Sequence, residues 1–108
     1  MQLGAIKDPM LIGEYVSYLE NALTVARELR SDPANSKYVA NLNLVIARLE
    51  RLVSETRQGR IMNEIDGMTK FAGDWPISRA RLALAIWEAE RFFKDKIIRI
   101  VLTEMGRL

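Results

Sequence analysis

The spacing of apolar residues along the chain predicts three amphipathic helices. In the first, over residues 9–31, apolar side chains fill four of the seven heptad positions, a stripe wider than a two-stranded seam. A stripe of that width needs two neighbouring helices to cover it. A second helix is predicted over 36–58, and a third, the longest, over 76–105. The short connection between the first two helices indicates an antiparallel hairpin.

The expected helix ends follow from residues with strong positional preferences. Asp8 and Pro9 predict the start of the first helix, because Asp is a good N-cap and Pro suits the first helical position. Turn-forming residues follow that helix, and Asn35 or Ser36 is expected to cap the second one. Gly59 predicts where the second helix stops.

A weaker pattern covers residues 61–72. Its apolar residues are Ile61, Ile65, Met68 and Phe71. Their spacing suits one face of a helix, but Gly67 interrupts it, so we expect a short or broken helix. The sequence therefore predicts an all-α fold, an antiparallel helical bundle of three long helices plus this short one. We expect a single domain over residues 1–108 that forms a dimer.

The longest predicted helix is apolar on two faces. The first face comprises Leu82, Ile86, Ala89, Phe93, Ile97 and Ile100. The second comprises Leu84, Trp87, Ile98, Val101, Leu102 and Met105, interrupted by Arg91 and Lys94. A helix of this kind is either central in its own bundle or covered by another chain. The segment 61–72 is too short to cover a helix about 42 Å long, so a homodimer is expected.

The second face supplies the candidate partner-binding residues. They are Trp87, Ile98, Val101, Leu102 and Met105. Trp75, in the irregular stretch "KFAGDWPISRAR" (residues 70–81), is a further candidate. Tryptophan is common at binding hot spots, yet an apolar residue just before a helix also folds back onto the first turn as a staple. The sequence leaves both roles open for Trp75.

Composition removes several kinds of chemistry. The chain has no cysteine and no histidine, which excludes disulfides, thiolate nucleophiles and imidazole catalysis, together with the usual structural zinc sites. The glycines form no nucleotide-binding pattern, and the carboxylates before Gly67 have the wrong spacing for a calcium loop. We therefore expect no cofactor and no metal ion.

The distribution of apolar residues also bears on location. No run approaches the length needed to cross a bilayer, and the first ten residues lack the basic and apolar segments of a signal peptide. A cytoplasmic protein without membrane contact is expected.

Charge suggests a second hypothesis, a nucleic-acid-binding regulator. The net charge is only +2, but the last helix carries a row of cations. They are Arg79, Arg81, Arg91 and Lys94, which are candidate contacts for phosphate or another anion. Acidic residues are interleaved with this row, and the helix lengths do not match a helix-turn-helix. Nucleic acid is therefore the less favoured partner.

A third hypothesis is a small helical-bundle enzyme without His or Cys. Arg48, Arg51 and Lys37 would then hold a carboxylate substrate. The heptad positions place Arg51 on the outside and Arg48 at the edge of the apolar stripe, which disfavours this reading. The preferred expectation is a non-catalytic interaction module, acting as an adaptor, regulator or inhibitor. Its partner would be a second copy of the chain and, in addition, another protein.

Overall fold

The computed structural model describes residues 2–68 and 80–104. Most of these residues are helical. In chain order the elements are strand β1 (Gln2–Ala5), helix α1 (Pro9–Ser31), a 3₁₀ segment (Pro33–Tyr38), helix α2 (Val39–Arg57), strand β2 (Arg60–Met62), helix α3 (Ala80–Phe92), a π-helical turn (Phe93–Ile97) and helix α4 (Ile98–Glu104). The last three elements run on without a break and are called the C-terminal helix below. The predicted all-α class is confirmed, with a short strand pair added to it.

Helix α1 begins and ends where the sequence predicts. The Asp8 carboxylate accepts a hydrogen bond from the Met10 N–H at 3.0 Å, and Pro9 takes the first helical position. The helix runs to Ser31, and the next residue, Asp32, caps the 3₁₀ segment by accepting from the Ala34 N–H at 2.9 Å. Local capping chemistry therefore sets both boundaries.

Helix α1 is the central helix of the fold. It packs against α2 on one side and α3 on the other. Ion pairs from Arg27 to Glu50 at 3.0 Å and from Arg57 to Glu20 at 2.8 Å show that α2 runs antiparallel to it. Contacts of Tyr18 with Phe92 and of Arg81 with Glu28 do the same for α3. The wide apolar stripe of α1 thus has the two neighbours that its width requires.

Helix α2 starts later than the sequence suggests. The predicted start at residue 36 is wrong, because residues 33–38 form the 3₁₀ segment and the α-helix begins at Val39. Asn35 does not cap α2: its side-chain amide is buried and donates to the Leu29 carbonyl at the end of α1, at 3.1 Å. Tyr38 occupies the cap position, and its side chain does not cap the helix.

Strand β2 replaces the short helix expected after Gly59. Ile61 and Met62 lie in a two-stranded antiparallel sheet with β1, and residues 63–67 form a turn. Ile61, Ile65 and Met68 are all buried, but Ile61 lies in a strand and Ile65 in a turn, so the expected helix is wrong there; Met68 is helical, and residues 69–72 lie outside the described part. The partner strand comes from the other end of the sequence, so no local pattern predicts it.

Gly59 connects α2 to this sheet. Its φ of +83° lies in the left-handed region that favours glycine. Its carbonyl also accepts a hydrogen bond from the Ile6 N–H at 2.8 Å, and a Cβ at this position would lie 2.6 Å from the Ile6 carbonyl oxygen. The residue therefore stops α2, as expected, and allows the chain after β1 to approach closely.

The π turn changes which face of the C-terminal helix is buried. The predicted inner face is correct from Leu82 to Ile97, but the next buried residue is Val101 and not Ile100. In the π turn the Ile98 N–H donates to the Phe93 carbonyl, five residues earlier. One extra residue is enclosed, so everything after it is rotated by about 100° relative to a regular α-helix.

Strand β1 covers the residue that this rotation turns inward. Val101 is 1% exposed, and a Cβ added to Gly4 would lie 2.6 Å from its Cγ1 atom. The backbone of β1 therefore lies directly on the Val101 side chain. The sequence analysis placed Val101 on the second, outer face, whereas in the structure it belongs to the core.

Candidate functional site

The predicted docking residues of the C-terminal helix do not form one continuous exposed face. Trp87 is 41% exposed, Ile98 and Leu102 are half-buried, and Val101 is in the core. Trp75 and Met105 lie outside the described residues. The π turn therefore divides the second apolar face, and Trp87 is left exposed on the part before the turn.

A surface around Trp87 combines residues of α1 and the C-terminal helix. Its exposed apolar members are Tyr18, Leu84 and Trp87, at 38%, 56% and 41% exposure. With Arg91 they are called the Trp87 surface. Beside Trp87 and Arg91 the two helices enclose a shallow groove of about 360 Å³. The groove is lined by Tyr18, Trp87, Glu88, Arg91, Phe92, Asp95 and Lys96.

Arg91 holds the centre of the Trp87 surface. Its guanidinium carbon lies 5.2 Å from the centroid of the Trp87 ring, within the range of a cation–π contact. Its Nε atom lies 3.3 Å from the Asp95 carboxylate, one helical turn further on. Arg91 therefore contacts the Trp87 ring with its guanidinium group while that group is also paired with Asp95.

Aromatic packing behind the surface connects it to the core. The Tyr18 ring lies 5.1 Å from that of Phe92, which is buried. Tyr15, one turn earlier in α1, stacks on Phe92 at 6.0 Å and on Phe93 at 6.3 Å. Because these rings are fixed by the core, the exposed residues in front of them are presented on a rigid support.

The groove carries balanced charge. Glu88 and Asp95 supply two carboxylates, and Arg91 and Lys96 supply two cations. The surface therefore has no strong field of one sign, and it does not select for a strongly acidic or strongly basic partner.

The cations proposed for nucleic-acid binding are paired with acidic residues where the structure describes them. Arg81 lies 3.3 Å from Glu28, and Arg91 pairs with Asp95 as above. Lys94 lies 3.4 Å from Asp66. Arg79 lies outside the described residues. Exposed pairs of this kind break at little cost, but they leave less unneutralised charge for phosphates.

Of the three cations of the enzyme hypothesis, Arg48 and Arg51 line the same shallow depression on α2, and Lys37 does not. Arg51 lies 4.0 Å from the Glu64 carboxylate, and Arg48 lines a shallow depression beside Leu44 on the outside of α2. Lys37 is in the 3₁₀ segment, more than two turns away along the chain. Arg51 and Arg48 point to solvent at positions already exposed on the helix.

Two polar groups in the interior show no hydrogen-bond partner in the described part of the chain. They are the Tyr15 hydroxyl and the Thr56 hydroxyl. Burial, reinforced by the Glu64 carboxylate, raises the pKa of Tyr15 above its ordinary value. The Tyr15 hydroxyl therefore stays protonated, and its ring serves the core.

Glu90 has a role that the sequence analysis missed. Its position one helical turn before Lys94 is typical of an exposed ion pair, and the two side chains lie 3.9 Å apart. The residue is nevertheless only 8% exposed, and its carboxylate accepts a hydrogen bond from the Gly67 N–H at 2.6 Å. Glu90 thereby attaches the turn after β2 to the C-terminal helix. Gly67 itself was the sequence signal for the turn, since its φ of +84° lies in the region that favours glycine, but the side chain that its N–H meets is 23 residues away and local periodicity does not reveal it.

Within residues 2–68 and 80–104, no helix is both long and apolar enough to cross a bilayer. The same ranges hold no cluster of three acidic residues placed to share a metal ion. Comparison with protein-family models, curated proteins and solved structures found no match. The Trp87 surface is therefore interpreted from its own geometry.

Proposed function

We propose that this protein is a non-catalytic interaction module that forms a two-fold homodimer through the Trp87 surface. The observation that carries the proposal is the exposed pair Leu84 and Trp87 on a rigid aromatic support. Tryptophan and arginine dominate the binding energy of many interfaces, and here the two stack on each other. Such a module would act by contact, as an adaptor, a regulator or an inhibitor.

Charge balance is the reason for choosing a second copy as the partner. A two-fold interface brings each patch against itself, so a patch with both signs of charge can be its own complement. If two C-terminal helices cross antiparallel near Phe92, Glu88 of one copy faces Lys96 of the other. In this arrangement Trp87 and Leu84 lie further from the crossing point than Glu88, so the two charged pairs stand at the centre of the contact and the apolar side chains flank them on both sides.

The expected affinity is modest. The exposed apolar set is small, which is typical of interfaces at the lower end of the stable size range. We expect a dissociation constant in the micromolar range, on the order of −8 kcal/mol of binding free energy. Removal of a tryptophan anchor commonly costs about 2 kcal/mol or more, which corresponds to roughly 30-fold weaker binding.

Size-exclusion chromatography with light scattering, over a range of protein concentrations, tests the proposal. Because both copies of a homodimer carry the substitution, Trp87→Ala should raise the dissociation constant by roughly 1,000-fold, and Leu84→Ala by roughly 100-fold. Leu44→Ala is the matched control, since Leu44 is 65% exposed on α2, away from the Trp87 surface. It should leave the dimer unchanged.

Two results would contradict the homodimer. One is a wild-type chain that stays monomeric up to about 500 μM, well above the expected dissociation constant. The other is an equal effect of Leu44→Ala and Trp87→Ala, which would place the contact elsewhere. A monomer that binds a different protein through Trp87 would retain the interaction module but change its partner.

A further inference from the structure

The C-terminal helix has two residues that can fill the same core position. Five α-helical turns separate Leu82 from Ile100, so a regular helix would put Ile100 on the buried face below Leu82. The π turn encloses one extra residue and puts Val101 there instead, leaving Ile100 36% exposed. The arrangement with the π turn is called the π register, and the arrangement without it, a continuous α-helix, is called the regular register. Both side chains are branched and aliphatic, so either register supplies a suitable core residue.

The outer face behaves in a complementary way. Leu84 and Leu102 are also five α-helical turns apart, so in a regular helix they share a face. Ile98 lies one turn before Leu102 on that face. In the observed π register both Ile98 and Leu102 are rotated to the side and are half-buried. The regular register would therefore extend the Trp87 surface by two aliphatic side chains, which the π register withholds.

We propose that the C-terminal helix is a register switch. The free chain holds the π register with Val101 in the core, and a second copy bound at the Trp87 surface selects the regular register. In that register Ile98 and Leu102 join the contact while Ile100 replaces Val101 inside. The first half of this inference concerns the chain alone, and the second half rests on the proposed homodimer.

Strand β1 explains why the free chain keeps the π register. The Gly4 backbone lies directly on Val101, and a single added Cβ would already reach to 2.6 Å from its Cγ1 atom. Ile100, larger by one methylene group, fits that position less well. The π register also keeps Ile98 and Leu102 partly sheltered from water.

The π turn itself is built so that the register can change. Between the buried Phe93 and Ile97, the residues Lys94, Asp95 and Lys96 are all exposed, so the extra residue of the turn lies outside the core, and the exchange of core side chains takes place beyond the turn, at Ile100 and Val101. A partner shifts such an equilibrium only if it binds the two states with different affinity. The two additional aliphatic contacts in the regular register supply that difference.

A pair of glutamine variants at neighbouring positions separates the two registers. Ile100→Gln penalises the regular register, because position 100 is then buried, and Val101→Gln penalises the π register for the same reason. Glutamine is a neutral, good helix former, so charge and helix propensity change alike in both variants. The chain is studied in full length and below its dimerisation concentration.

The hydrogen bond of the Ile98 N–H reports the register directly. Its through-bond NMR coupling should run to the Phe93 carbonyl carbon in the wild-type monomer and in Ile100→Gln. In Val101→Gln it should run to the Lys94 carbonyl carbon, as in a regular α-helix. Dimer affinity should rise by about tenfold in Val101→Gln and fall in Ile100→Gln.

The wild-type chain decides the question if Val101→Gln does not fold. Relaxation dispersion should then show exchange at residues 94–104 of the free protein, and Ile100→Gln should abolish it. A flat profile in wild type, or a Phe93 coupling retained in Val101→Gln, would overturn the switch. If the dimer forms with the coupling to Phe93 intact, the register switch is refuted and the homodimer is kept. If the free chain changes register but never dimerises, the homodimer is refuted and the two registers of the free chain are kept.

Discussion

Replacing Gly4 by alanine should destabilise the fold, whereas the same replacement at Gly13 should stabilise it. At Gly4 the new methyl group would lie 2.6 Å from the Cγ1 atom of Val101, closer than two carbon atoms can pack. At Gly13, on the exposed side of α1, nothing lies within 4 Å of the new group. The two substitutions are chemically identical, so their difference measures the contact between β1 and the C-terminal helix.

The magnitudes follow from opposing contributions. Overpacking a tight contact costs about 1–3 kcal/mol, and replacing glycine in a strand returns about 0.5 kcal/mol of backbone entropy. Gly4→Ala should therefore lose about 0.5–2.5 kcal/mol of unfolding free energy. Gly13→Ala should gain about 0.5–1 kcal/mol from helix propensity. In a domain of this size each kcal/mol corresponds to about 4 °C in melting temperature.

Urea unfolding followed by circular dichroism measures both effects. A double-mutant cycle with Val101→Ala assigns the cause, because the penalty of Gly4→Ala should largely vanish once the opposing methyl groups are removed. The reasoning is refuted if Gly4→Ala and Gly13→Ala change stability in the same direction. It is also refuted if the Gly4 penalty is unchanged in the Val101→Ala background.

Three further changes test other parts of the fold. Gly59→Ala should lower the free energy of unfolding by about 2–3 kcal/mol, which is more than Gly67→Ala should, as thermal unfolding can measure. Both glycines have positive φ, but of the two only Gly59 would bring a Cβ within 3 Å of a backbone oxygen. Equal losses of stability in the two variants would contradict this. Tyr15→Phe should leave the free energy of unfolding unchanged or raise it by up to about 1 kcal/mol, because it removes a buried hydroxyl without a described partner. A large loss of stability would show that the hydroxyl does have a hydrogen-bond partner. The hydrogen bond from Arg60 holds the pKa of Glu55 below its ordinary value. Glu55 therefore stabilises the fold above that ordinary pKa, and this contribution disappears as the pH falls through the lowered one. Glu55→Gln should therefore reduce the loss of unfolding free energy that occurs as the pH is lowered. If the slope of stability against pH is the same in the variant, the contact between Glu55 and Arg60 is not the cause of that loss.

Those parts of the fold that depend on neighbours in the sequence were predictable. Asp8 and Pro9 set the start of α1, and the width of its apolar stripe required the two neighbours that α2 and α3 provide. Gly59 marked the end of α2. In each case the deciding interaction lies within a few residues or on one helix face, so the sequence pattern contains it.

The parts that depend on distant residues were not predictable. Strand β2 forms because β1, more than fifty residues earlier, pairs with it. Asn35 does not cap α2, because its side-chain amide donates its hydrogen bond to the Leu29 carbonyl. A regular helix and a π-interrupted one differ by a single hydrogen bond, so helical periodicity alone could not show which would form.

The candidate site was predictable to the same extent. Trp87 could be chosen from its position on a second apolar face, and it is exposed. Val101 could not be placed correctly, because its orientation depends on the π turn and on Gly4. Tyr18 could be assigned to the stripe of α1, but its place beside Phe92 depends on how two helices pack.

The central claim is that a second copy of the chain covers Trp87, and an isotope-filtered NMR experiment tests it most directly. A mixture of labelled and unlabelled chains reveals contacts between copies alone. The account predicts intermolecular contacts from the Trp87 indole and the Leu84 methyl groups. Their absence in a sample that sedimentation shows to be dimeric, or contacts from Leu44 in their place, would contradict it.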